Sequence, residues 1–397
     1  MKIDEAYARV ILNAKAEPTI EVVLRVGGSW VQASAPSGTS AGSHEAQAWP
    51  KADSVDEGVK IAKERLEKEV FPEVVGKDTT PEEVDEVIES IDGTKRLEKI
   101  GGNAALALSI AAVKAEAWER GIHVFEQIAE MYGSKPRKTT PIENVIGGGA
   151  HGGATDIQEF LLAVPSDNMT ESILITSAAY REIKNVLKEM DPKFEGALTL
   201  ESAFVTHLGT EQILQILASI RDELKSIGYE PIIGVDVAAN ELWTGKEYVW
   251  KKEGLKRSTA EHEEYIKNLV KAYGLHYLED PFHEDAFEDY ERIQGAIDGI
   301  VVGDDLLVTN ADRIKRANIK GALIKPNQAG TISRTLRAVK EARKKGMMIT
   351  VSHRSGETDD PFLSEFAVGI GADLAKIGAA GIRTVKLNQL LRIDPLL

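Results

Sequence analysis

The sequence predicts an α/β protein with a C-terminal (β/α)8-type barrel over 141–397 and an N-terminal α+β capping domain over 1–133. Three observations point there. Downstream, short apolar runs alternate with helical patterns, as parallel strands joined by crossover helices require. Upstream, the strands are grouped ahead of the helices instead. Between the two patterns lies GSKPRKTTP, 133–141, a basic stretch with two prolines, and the domain boundary is placed there.

The elements follow in chain order. TIEVVLRV alternates apolar and polar positions, which predicts a half-buried strand. GSWVQASA is its hairpin partner across Gly27-Gly28. PSGTSAGSHE, 36–45, has no periodicity and predicts a mobile loop. VDEGVKIAKERLEKEV and TPEEVDEVIESI read as helices, the second capped by Thr80 with Pro81 at its first position. NAALALSIAAVKAEAWERG is apolar on several faces and predicts a long buried helix. After the boundary, GYEPIIGVDVA, GLHYLEDPF, GIVVGDDL, KGALIKPNQ, GMMITVSHRS and ADLAKIG each read as a buried strand. EEYIKNLVKAYG, ADRIKRANI and TLRAVKEARKKG are helical stretches between them. This repetition implies a parallel sheet closed into a barrel.

Composition narrows the function. The 397 residues with 43% hydrophobic content suit one large and one small domain. A net charge of −15 argues against a general nucleic-acid binder but leaves room for a small anionic ligand held by local cations. There is no cysteine, so a disulfide framework and a thiolate metal site are both excluded. No uncharged apolar run reaches the ~18 residues of a membrane span, and MKIDEAYARV lacks the apolar core of a signal peptide. A soluble cytoplasmic protein with no membrane partner is expected.

The chemistry sits where charges interrupt the predicted strands. Asp236, Glu279, Asp304, Lys325, His353 with Arg354, and Lys376 each end one, at intervals of 43, 25, 21, 28 and 23 residues, about one βα unit each after the longer first. They therefore fall at the C-terminal mouth of the barrel, where active sites of this architecture assemble. One strand-end acid is ordinarily a cap for the next helix. Six consecutive charged strand ends exceed what capping explains. Crowded carboxylates are costly unless neutralised, and hard oxygen donors without cysteine favour Mg²⁺. Asp236, Glu279 and Asp304 are thus the candidate metal ligands. Arg354 and Ser355 form a candidate clamp for a phosphate or carboxylate. The simpler alternative is a surface arginine paired with Asp359 or Asp360. Lys325, approached by the apolar ALI, is a candidate general base, its pKa expected to be lowered by a nearby ion and by Lys376.

These motifs resemble the enolase (phosphopyruvate hydratase) family over nearly the whole chain. PSGTSAGSHEA is similar to the family's catalytic loop and IGGNAALALSIAAVKA to the buried helix of its N-terminal domain. GGGAHGGATDIQEF, GVDVAANEL, LEDPF, VGDDLLVTN, IKPNQAGT, SHRSGETDD and LNQLLRI follow in family order. The spelling of GGGAHGG and IKPNQ is similar to archaeal members. The resemblance implies dehydration of 2-phosphoglycerate to phosphoenolpyruvate with two Mg²⁺. The first ion would be held by Asp236, Glu279 and Asp304, and the second with help from Ser40. Lys325 would remove the C2 proton, and Lys376 would stabilise the charge that develops on the carboxylate. Glu201, with Glu159 beside it, would protonate the leaving 3-hydroxyl. His151, His353, Arg354 and Ser355 would face the substrate. A homo-oligomer built from dimers is also implied.

Three segments depart from the family pattern. NAKAEPT, 13–19, carries Lys15 in place of an interfacial arginine. TLESA, 199–203, keeps Glu201 but has Ser202 and Ala203 where glycines are the pattern, so displacement of the Glu201 carboxylate is one expectation. GAAGIRT, 378–384, belongs to a stretch about two residues short. These changes also fit a diverged paralogue acting on another small phospho- or hydroxy-carboxylate, or a non-catalytic protein that kept the fold.

Overall fold

The computed structural model describes residues 1–38 and 44–397. Its N-terminal sheet has three antiparallel strands, β1 (Ile3–Leu12), β2 (Pro18–Val26) and β3 (Ser29–Ser34), in that order. Gly27 and Gly28 take the positive φ values of 55° and 80° that the predicted hairpin turn requires. Strand β1 escaped the sequence reading. It has a buried Ile3 and Ala8 but leaves Tyr7, Val10 and Leu12 exposed, so its pattern is weak. Its presence makes β2 the central strand. Ile20 to Leu24 are consequently buried on both faces, not half-buried as expected. The alternating Glu21 is buried because it pairs with Arg9 of β1.

The predicted helices form. Pro81–Asp92 starts on Thr80, whose side chain accepts from the Glu83 amide (3.2 Å) while Glu83 accepts from the Thr80 amide (2.9 Å), a capping box. The Ala-rich Gly102–Arg120 helix is buried from Gly102 through Val113 and packs on β2 and β3. Several hydrogen bonds fix this layer to the C-terminal part. Ser109 Oγ accepts from Ile332 N (2.9 Å), Asp85 from Ser333 N (2.9 Å), and Lys114 pairs with Asp360 (2.7 Å).

The large sheet comprises β4 (Thr140–Pro141), β5 (Glu143–Gly147), β6 (Glu159–Ala163), β7 (Phe204–Val205), β8 (Ile232–Asp236), β11 (Tyr277–Glu279), β12 (Ile300–Gly303), β13 (Gly321–Ile324), β14 (Met348–Ser352) and β15 (Leu374–Lys376); β9 (Tyr248–Trp250) and β10 (Leu255–Arg257) form a separate hairpin. The order is β4-β15-β14-β13-β12-β11-β8-β6-β5-β7. Its two ends meet, because β4 and β5 are one extended segment separated by Ile142. That segment bonds β15 through Thr140 and Pro141 and bonds β6 through Glu143 to Gly147. The sheet is therefore closed into a barrel, with β7 attached outside the ring on β5.

One stave differs from the all-parallel expectation: β6 runs antiparallel to both β5 and β8. The connection 148–158 carries no crossover helix, so the chain can only turn back on itself. The six strands read from sequence, β8 and β11 to β15, are parallel in unbroken succession. Inside the ring, Leu161, Tyr277, Val302, Leu323 and Leu374 form a packed plug below the mouth.

Candidate active site

Strand register does most of the assembly. Glu159 pairs with Asp236, Asp236 with Glu279, and Ser352 with Lys376. Three acids on adjacent staves thus sit at one level of the barrel mouth, with a lysine opposite. Glu159, Asp236 and Lys376 line a cavity of about 300 Å³ together with Asp304, Lys325, Arg354 and Glu201, and the fully buried Glu279 joins them through its contact with Lys376. Every predicted site residue in the described part of the chain lies at this mouth. Ser40 lies outside the described residues.

The charges inside are closely interlocked. Lys376 is buried and its Nζ touches Glu159 (2.8 Å), both oxygens of Glu279 (2.9 Å each) and Asp236 (3.5 Å). Burial opposes its charge, but the three carboxylates prevail and hold its pKa well above the lysine range. Lys325 pairs with Asp304. Burial again acts to lower the ammonium's pKa, and Asp304 outweighs it, so the pKa is raised. The expected lowering is not seen, because in the described site this carboxylate faces the lysine directly. A divalent ion on Asp304 would compete with the lysine for those oxygens.

The carboxylates fit a cation on physical grounds. Glu279 is completely buried; burial and the neighbouring Asp236 push its pKa well above the usual range. Asp280 is pushed up to about 7 by burial and by Asp304 and Asp236. Asp304, Asp280 and Asp305 bring ligand oxygens within 4.8 Å of one another, and so do the ligand atoms of His151, Glu159 and Glu201. Hard oxygen donors crowded at one mouth are what a divalent metal neutralises. Supporting contacts orient them: Tyr277 donates to Glu279 (2.8 Å), Gln328 to Asp304 (2.9 Å), and the Ala238 amide to Asp236 (2.9 Å).

The opposite wall holds Glu201. Its Oε2 lies 3.7 Å from His353 Nε2 and 3.8 Å from His151 Nδ1, and it has no hydrogen-bond partner. The carboxylate is not displaced from the pocket despite the missing glycines. Ser202 adopts a left-handed φ of 65° in place of a glycine. Thr199 Oγ1 accepts from the Glu201 and Ala203 amides (3.2 Å each), and Tyr180 donates to the Ser202 carbonyl (2.6 Å). These bonds offset a conformation that costs an L-residue about 1 kcal/mol. Burial works to raise the Glu201 pKa, but His353, His151 and Arg383 hold it well below the ordinary range. Burial instead pushes Glu159 up to about 8 against the pull of Lys376.

His151 reaches the mouth from the glycine-rich run. A Cβ on Gly148 would lie 2.2 Å from the Ile157 carbonyl, so only glycine lets the two passes of chain approach so closely. Arg354 pairs with Glu45 (3.1 Å) and donates to Asn327 (2.9 Å), rather than pairing with Asp359 or Asp360. Sequence reasoning missed Glu45, which sits in a loop with no periodicity. It also missed the buried Arg383. Both Asp280 and Asp305 were legible as the second acids of LED and GDD.

Comparison with known proteins agrees with this geometry. The family model described as enolase, N-terminal domain, matches residues 3–128, and that described as enolase, C-terminal TIM barrel domain, matches residues 138–397. A protein named enolase from Pyrobaculum aerophilum is 41% identical, with 99% of this chain and 96% of that one aligned. Enolases from Archaeoglobus fulgidus and Methanothermobacter thermautotrophicus are 36% and 35% identical, over 100% and 99% of this chain and 98% and 96% of theirs. Among the described residues no helix is long and apolar enough to cross a membrane.

Proposed function

Because the chain belongs to the enolase family, we propose that it dehydrates 2-phosphoglycerate to phosphoenolpyruvate, acting as a carbon–oxygen lyase. The observation that carries this reading is one mouth that holds a half-buried Lys325 paired with Asp304 and a buried Lys376 paired with Asp236 and Glu279. Asp236, Glu279 and Asp304 would hold one Mg²⁺, and Ser40 would contribute to a second. Bound there, the metal supplies positive charge against the substrate carboxylate, which makes the C2 proton more acidic.

The chain's own groups divide the remaining work. Lys325, once released from Asp304 and having given up its own proton to solvent, takes the C2 proton at Nζ as the neutral amine. Lys376 stays protonated and faces the charge that develops on the carboxylate. Arg354 and Ser355 grip the phosphate, with His151 and His353 closing the opposite wall. Glu201, with Glu159 beside it, faces the leaving 3-hydroxyl, which takes up a proton on this wall as the C–O bond breaks. The substrate class is a small phosphorylated carboxylate, and the protein works in the cytoplasm as a homo-oligomer built from dimers. The test is direct: purified protein should form phosphoenolpyruvate from 2-phosphoglycerate in the presence of Mg²⁺. A folded, Mg²⁺-binding protein without this activity would contradict the assignment.

A further inference from the structure

Two segments that depart from the family pattern, 199–203 and 378–384, meet at one side chain. Arg383 follows a short turn (Gly381–Arg383) after β15 and is only 1% exposed. Its guanidinium reaches three pieces of the mouth at once. Nε donates to His353 Nδ1 (2.8 Å) and Nη1 to the Leu200 carbonyl (2.6 Å), while Nη2 donates to the carbonyls of Arg354 (3.2 Å) and Ser355 (3.0 Å). The two segments also fit each other sterically. Gly381 has φ +66°, and a Cβ there would stand 2.6 Å from Ser202 Oγ. Ser202 in place of a glycine and Gly381 in the shortened stretch therefore occupy complementary space.

The bond to histidine has a chemical consequence. A guanidinium carries donors only. His353 Nδ1 must then present its lone pair to Arg383, which leaves the proton of the neutral ring on Nε2. That nitrogen faces Glu201 Oε2, 3.7 Å away. An arginine serving only to satisfy buried carbonyls would need no bond to an imidazole nitrogen. We infer that Arg383 is a positioning residue of this site: it fixes His353 as the Nε2–H tautomer and ties the Glu201 loop to the backbone of the Arg354–Ser355 clamp. The inference rests on the reading above for the role of Glu201. It assigns the altered segments to the leaving-group side of the reaction. Lys325, which pairs with Asp304 on the opposite wall, lies outside this unit.

The test combines one measurement on the wild-type protein with two variants. With ¹⁵N-histidine labelling of the full chain, the wild-type His353 should appear as the Nε2–H tautomer. The Nδ1–H tautomer or an imidazolium at neutral pH would overturn the inference whether or not any variant folds. Arg383→Met should give a mixture of tautomers and lower kcat for phosphoenolpyruvate formation by about ten- to a hundredfold, part of what a positioned general acid supplies. Exchange of the C2 proton of 2-phosphoglycerate with solvent, which needs only the Lys325 side, should persist within a few-fold. A merely structural role predicts that both rates fall together, and unchanged tautomer and turnover would also overturn the inference. Should Arg383→Met fail to fold, Arg383→Lys keeps the charge without the planar fork. It should show the same split between exchange and turnover, and wild-type turnover in that variant would count against the proposal. Absence of phosphoenolpyruvate formation by the wild type would contradict the assigned reaction, while the tautomer result would stand separately.

Discussion

Glu143 gives a prediction that can be worked through from structure to number. This glutamate, on β5, is completely buried, and neither carboxylate oxygen has a hydrogen-bond partner. Burial alone pushes its pKa from an ordinary 4.5 up to about 8. The Tyr180 phenol is raised to about 12 by its own burial and by the charge of Glu143. An acid whose pKa is raised in the folded state favours folding most below its unfolded pKa. That contribution is lost as pH rises toward the folded pKa, because the unfolded chain ionises first. The window here runs from about 4.5 to about 8. At about 1.4 kcal/mol per pH unit, the loss between pH 5 and pH 8 comes to about 3 to 4 kcal/mol. Glu143→Met removes the titrating group and keeps an unbranched side chain of similar length. Its stability relative to wild type should therefore rise by about 3 kcal/mol over that pH interval. Urea unfolding of both proteins at four pH values and one fixed protein concentration measures this, and all other titrating groups cancel in the difference. Parallel stability curves, agreeing within about 1 kcal/mol, would refute the reasoning.

Other expectations concern the mouth itself. Lys325→Ala should lower kcat by about a hundredfold or more, as loss of a general base does, with circular dichroism unchanged; turnover retained in that variant would show that Lys325 is not the base. Arg354→Lys keeps the charge but loses the planar fork, so KM for the phosphorylated substrate should rise about tenfold with a smaller change in kcat. Chelation of divalent ions should abolish turnover and lower the unfolding temperature, and added Mg²⁺ should restore both. Tyr277→Phe removes the hydrogen bond to Glu279 (2.8 Å) and should weaken Mg²⁺ binding by about tenfold, read by titration calorimetry without any turnover.

Much of the fold and site was legible in the sequence because barrel periodicity and strand-end charge reinforce each other. Asp236 and Glu279 end the adjacent strands β8 and β11, with Lys325 after β13 and Lys376 ending β15 further round the ring, and a one-dimensional interval becomes a spatial relation once register is fixed. Strands β5 and β6 were harder. ENVIG begins with two polar residues, Glu143 and Asn144, that are nonetheless fully buried, so its composition does not announce a core strand. EFLLA does carry an apolar run, and that signal was available. Strand β1 was obscured by the apolar residues it leaves exposed. Glu45 and Arg383 were invisible for another reason. Their partners are hundreds of positions or a whole loop away in sequence, and only the fold brings Arg354 to the one and His353 to the other. The placement of Glu201 required Tyr180 and Thr199 to hold a left-handed serine, which no local pattern reveals.

The most direct test of the central claim is to locate the ion itself. Crystals grown with Mn²⁺ in place of Mg²⁺ and with 2-phosphoglycerate would show it by anomalous scattering. We expect a peak bonded to oxygens of Asp236, Glu279 and Asp304 at about 2.1 to 2.2 Å, with Lys325 moved off Asp304 toward the substrate's C2. An ion bound only at Asp280 and Asp305, with Lys376 and Lys325 still paired to the other carboxylates, would contradict the account.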